Sequence, residues 1–200
     1  MTDMEYKQEL LRGVGENPAD WARLGPIMGR KELLAVLRGY QNTPDVYRPG
    51  DDFANVKNKT FGANLHIHTT NSDGLMTVAQ LLDLGARYGD SLAEYNPGRK
   101  FYIAITDHNT TNGAIEALNL VVDNPEKYKN LKIALGIEAS AIFSSSVAGA
   151  ASEVHLLSYC LNPAVDAIAG MNRARLGELQ NNVSVALSNA NVRYHDVVSH

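Results

Sequence analysis

The chain has a single cysteine, Cys160, in 200 residues, so neither an intramolecular disulfide nor a thiolate metal cage is available to it. It carries no run of about 18 apolar residues, and its N-terminal stretch is interrupted by charged and polar side chains throughout, with no signal-peptide core. These absences lead to the expectation of a reducing, cytoplasmic setting and no membrane partner. Basic clusters are missing as well. A net charge of −4 and a pI near 5.8 leave no strong nucleic-acid-binding surface. An acidic balance still accommodates a phosphate substrate when bound divalent cations reverse the local sign. With 44% hydrophobic and 20% charged residues, the composition is that of an ordinary globular chain and excludes a disordered or collagen-like one.

Two regions differ in pattern. Residues 1–60 read as a helical extension and linker: 4–12 suit a short helix, Asn17-Pro18 is a cap followed by proline, and Leu33, Leu34 and Leu37 form a narrow apolar stripe. Residues 41–60 carry two prolines, a glycine and several Asn and Asp, the composition of a loop. From 61 to 200 short apolar runs alternate with amphipathic stretches, which predicts βα units and a mainly parallel sheet. Strands are expected at 62–68, 101–107, 131–138 and 153–160. One helix is expected from the Thr77/Gln80 capping pair to a stop at Gly89, with Val78, Leu81 and Leu82 on its inner face. A second is expected over about 112–123, and a long one from Asn162-Pro163 to about 189.

Metal-competent side chains fall in or just past the four strands. His66 and His68 close the first, His108 follows the second, Glu138 closes the third and His155 lies in the fourth. In a parallel sheet the carboxyl ends share one rim, where these groups would meet. Residues i and i+2 of a strand project to one face, so His66 and His68 offer two imidazoles to one cation. Asp73, in a Ser-Asp-Gly turn, is placed to fold back over that rim. Any one of these histidines is more often structural than a ligand; their joint placement is what argues for a site. Mixed imidazole and carboxylate donors favour Zn²⁺, Mn²⁺ or Fe²⁺ over Ca²⁺ and Mg²⁺.

The ordered blocks HIHTTNSDG, AITDHNT, LGIEAS and EVHLLSY resemble the polymerase and histidinol phosphatase (PHP) domain superfamily, especially its stand-alone metal-dependent phosphoesterases, over about residues 61–190. The resemblance implies a distorted (β/α)7 barrel that holds two or three divalent ions and hydrolyses a phosphomonoester or phosphodiester. Carried onto this chain it implies His66, His68, Asp73, His108, Glu138 and His155 as metal ligands, with Glu138 bridging. Glu138 and Asp73 would then serve catalysis through the metals, the nucleophile being a metal-activated hydroxide. Asp107 is expected to cap a loop or to support the ligands. Arg173 and Arg175 are candidate phosphate contacts, because guanidinium matches phosphate oxygens in a fork.

Residues 61–200 contain no Asp-x-His pair, with which the family completes its site, and supply only about four βα units. The expected fold is therefore the N-terminal part of such a barrel, incomplete at its C-terminus. The expected partner is a small phosphate ester, a nucleotide or a short oligonucleotide. The alternative is a non-catalytic metal-binding module with a regulatory or assembly role.

Overall fold

A computed structural model describes residues 1–42, 62–144 and 151–162. Arg173, Arg175, the predicted helix to 189, the predicted boundary at 60 and most of the 144–152 stretch lie outside these residues. Among the described residues the fold is mixed α/β. Four helices, α1 (Asp3–Gly13), α2 (Arg30–Asn42), α3 (Val78–Tyr95) and α4 (Asn112–Asp123), and a 3₁₀ helix (Pro18–Leu24) accompany four strands. The strands are β1 (Gly62–Ile67), β2 (Phe101–Ile105), β3 (Leu131–Ser144) and β4 (Ala151–Tyr159), and they lie side by side in chain order.

Local signals account for several helix starts. Thr2 with Glu5 and Thr77 with Gln80 form reciprocal capping boxes at α1 and α3. Asn17 caps the 3₁₀ helix by accepting from the Ala19 amide. Helix α3 runs through Gly89 to Tyr95, past the predicted stop. Gly89 serves packing instead, since a Cβ there would lie 2.3 Å from the Asn130 carbonyl oxygen. In α2 the buried stripe is Leu33 and Val36; Leu34 and Leu37, expected with Leu33, are 39% and 37% exposed.

The sheet is mainly parallel, as expected, but its last strand is reversed. β1, β2 and β3 are parallel, but β4 returns antiparallel along β3, with Glu138 opposite Leu157 and Ser140 opposite His155. The reason is length. β3 continues well beyond the end of β2, and β4 pairs with that overhang, from Gly136 to Ser144. The sheet is also curled. Three strand spacings of about 4.8 Å would separate β1 from β4 in a flat sheet, beyond the reach of a tyrosine, yet Tyr159 Oη donates to Leu65 O at 2.7 Å.

The two faces have different contents. The convex face carries Ile103, Ile105, Leu131, Ile133 and Leu135, packed against α3, α4, α1 and the 3₁₀ helix in one core. The concave face is lined by small or partly buried residues, Leu65, Ala104 and Ala134, and its lower part is filled by Met28 and by Leu33 and Val36 of α2. The N-terminal helices thus share the core of the sheet. Ile27 forms a parallel bridge with Ile133, closed by Met28 N to Ile133 O and Ile133 N to Pro26 O, both 2.8 Å.

A glycine in a helix interior normally gains about 1 kcal/mol on replacement by alanine. Gly89→Ala is expected to do the reverse and lower stability by about 1–3 kcal/mol in urea unfolding, because the methyl group meets backbone that does not yield.

Candidate metal centre

A bulge in β1 aims the first two histidines. The register slips between Asn64, opposite Ile103, and Ile67, opposite Ile105, so β1 holds one extra residue there. Strict alternation would put His66 and His68 on the face opposite Leu65. With the bulge, Leu65 faces the concave side, Ile67 joins the convex core, and both imidazoles reach Glu138 on the concave side. The Asn64 side chain accepts from the His66 amide at 3.3 Å within the slip.

Glu138 is 3% exposed and lies at the centre. Its Oε2 is 2.8 Å from His66 Nε2, 2.7 Å from His68 Nε2 and 3.6 Å from His108 Nδ1; its Oε1 is 2.7 Å from His155 Nδ1. Asp73 adds a second carboxylate, with Oδ1 2.6 Å from His68 Nδ1 and Oδ2 3.7 Å from His108 Nε2. The structure therefore gathers all six predicted ligand residues. His155 arrives by an unpredicted route: it sits within the returning strand β4, diagonal to Glu138 across the hairpin, and not at a parallel carboxyl end.

Proton accounting tests whether this donor set suits a cation. His66 Nε2, His68 Nε2 and Glu138 Oε2 form a triangle with edges of 3.0, 2.8 and 2.7 Å. Each edge needs a proton between its atoms, and a neutral imidazole carries one proton on one nitrogen. His68 also faces a carboxylate with both of its nitrogens. A cation shared by these three atoms would satisfy their facing lone pairs without those protons. Donors around an ion at about 2.0–2.1 Å stand roughly 3 Å apart, close to what is found here. The side chains form three overlapping groups able to hold a metal ion: His66, His68 and Glu138; His68, Asp73 and His108; His108, Glu138 and His155.

Electrostatics agree with the geometry. Burial alone would raise the Glu138 carboxyl, but hydrogen bonds with His66 and His155 and the pull of His108 and His66 outweigh it and hold it below the usual value. Asp73 is held low mainly by its hydrogen bond with His68.

Asp107 supports the ligands from below. It is 1% exposed, and its carboxylate accepts from the Thr69 amide at 2.6 Å, from the Thr69 hydroxyl and from the Ser72 hydroxyl at 2.7 Å. A Cβ on Gly113 would fall 2.1 Å from Asp107 Oδ2, which sets the carboxylate against the first turn of α4, where the helix dipole favours an anion. Asp107 is thus the loop-capping residue expected, and the loop it caps carries Asp73. Gly74 closes that loop, because a side chain there would lie 2.1 Å from the His68 carbonyl oxygen. Cys160 is half-buried between the two apolar clusters, and burial, aided by Asp3, pushes its thiol up to about 11, so it offers no ready thiolate.

Asn109 and the β1 bulge are the site features that sequence reasoning missed. Asn109 adopts a left-handed backbone (φ 53°), a conformation Asn tolerates better than most residues. A cavity of about 720 Å³ lies along α3, lined by Met76, Gln80, Asp83, Arg87 and Lys127 among others, and includes none of the six clustered residues. No protein-family model matches the chain, and no curated protein matches it significantly.

Asp107→Ala leaves the Thr69 and Ser72 donors without their buried acceptor. It is expected to lower stability by about 2–4 kcal/mol in urea unfolding, whereas Ser72→Ala, which removes one donor and leaves the acceptor satisfied, costs about 1 kcal/mol or less.

Proposed function

We propose that this chain carries a PHP-type metal centre and acts as a metal-dependent phosphoesterase on a small phosphate ester or nucleotide, with two or three Mn, Zn or Fe ions as cofactors. The observation that carries this reading is the convergence, from separate segments, of four imidazoles and the Asp73 carboxylate on the buried carboxylate of Glu138. Divalent ions held there would lower the pKa of bound water toward neutrality and neutralise charge on phosphoryl oxygens.

The chain's own residues supply position. Glu138 belongs to two of the three donor groups and His68 and His108 each to two, so the ions would share ligands and lie close together. His66 and His155 have side chains 48% and 45% exposed at the outer edges of the cluster, while Glu138 is sunk beneath them. An incoming phosphate would therefore approach from the open concave side. No helix among the described residues is long and apolar enough to cross a membrane.

A second reading has one observation in its favour. Residues 61–200 hold no Asp-x-His pair, with which the family that the sequence resembles completes its site. In that reading the centre binds metal for assembly or regulation.

Elemental analysis of the purified protein is expected to give at least two divalent ions per chain. Hydrolysis of an aryl phosphate is expected to stop on chelation and return with Mn²⁺, and Glu138→Gln to weaken Mn²⁺ binding by more than about 100-fold, beyond the loss usual for a group that only supports a ligand. Bound metal without turnover selects the second reading. Turnover that persists after complete metal removal contradicts the phosphoesterase proposal.

A further inference from the structure

β3 outruns β2, and its overhang holds two of the groups that matter: Glu138 itself and Ser140, the partner of His155. β2 ends at Ile105, and the segment that follows it does not continue as a regular strand. What borders the overhang on that side is Asp107 to Asn109. The Glu138 amide donates to Asp107 O at 3.1 Å, and the Asn109 amide donates to Glu138 O at 2.8 Å. Two residues further along β3, a side chain takes over from the backbone. Asn109 Oδ1 accepts from the Ser140 amide at 2.9 Å, and Asn109 Nδ2 donates to Ser140 Oγ at 3.3 Å. The carboxamide supplies the acceptor that the carbonyl of a continuing strand would have supplied.

The left-handed backbone at Asn109 makes this possible. It turns the chain sharply just after His108, which forms a bridge with Glu138, and swings the next side chain along β3. Asparagine combines tolerance of that conformation with an acceptor at the right length.

We infer that Asn109 is a positioning residue of the metal centre, whose carboxamide replaces the missing end of β2 and fixes His108, Glu138 and, through Ser140, His155 relative to one another. The inference rests on the metal-centre reading above, and it assigns Asn109 no contact with the ions.

Two variants of the full chain test it. Asn109→Gly keeps the left-handed backbone without strain but removes the carboxamide. Asn109→Asp keeps an acceptor for the Ser140 amide and tolerates the same backbone. The expected result for Asn109→Gly is faster hydrogen exchange at the Ser140 amide and Mn²⁺ binding weakened about 10–100-fold by calorimetry. Its melting temperature is expected to fall by no more than about 5 °C. Asn109→Asp is expected to restore Ser140 protection and to bind Mn²⁺ within about threefold of the parent or more tightly, since it also adds negative charge near the cations. A parent protein that binds Mn²⁺, with an Asn109→Gly variant that binds it equally well, overturns this inference alone. A parent that binds no divalent ion overturns the metal reading and this inference with it.

Discussion

A carboxylate withdrawn from water is costly unless charge and hydrogen bonds replace its hydration, and in Glu138 that requirement meets four imidazoles. Imidazoles alone answer it only in part, because neutral rings bring one proton each and several nitrogens here face one another or the same oxygen. Much of the local structure can be understood as holding this arrangement in place. The Glu138 backbone is tied on one side to Asp107 and Asn109 and on the other to β4, so the carboxylate has little freedom to move toward solvent.

The division of the sheet into two faces makes room for this. Large aliphatic residues and the α3 and α4 helices take the convex side, where a continuous core supplies the hydrophobic stabilisation. Curling narrows the concave side, and alanines at 104 and 134 suit the reduced space, with α2 packed below them. Polar groups can then collect above the alanines, on the same strands that are apolar behind. The N-terminal helices contribute to both sides, since Leu10, Leu11 and Leu24 enter the convex core while Met28, Leu33 and Val36 pack on the concave face.

Neighbouring polar residues support the candidate ligands, and Ser72 among them also touches Asp73. Asp107 organises the loop from Thr69 to Asp73, and Asn109 stands in for a strand end. Both lie in the short stretch TDHN, on either side of His108, so one turn after β2 carries a candidate ligand and two supporting side chains.

The order and type of the elements within residues 62–160 were legible because apolar runs and capping pairs act locally: Thr77 with Gln80 caps its own helix, and the run FYIAI is a strand in any packing that buries it. The candidate ligands could also be named, since donor chemistry belongs to the side chain. Other features depended on residues distant in sequence. The end of α3 was misread because Gly89 answers to Asn130, some forty positions on, and not to its own helix. The β1 bulge needs β2 as its reference, and the reversal of β4 follows from pairing with β3, which no periodicity reports. Sequence alone determined which groups are present and that they lie near strands. Tertiary structure decided which way they face, because the side of a sheet on which a residue falls is set by register with a neighbour, a relation between two segments that neither contains by itself.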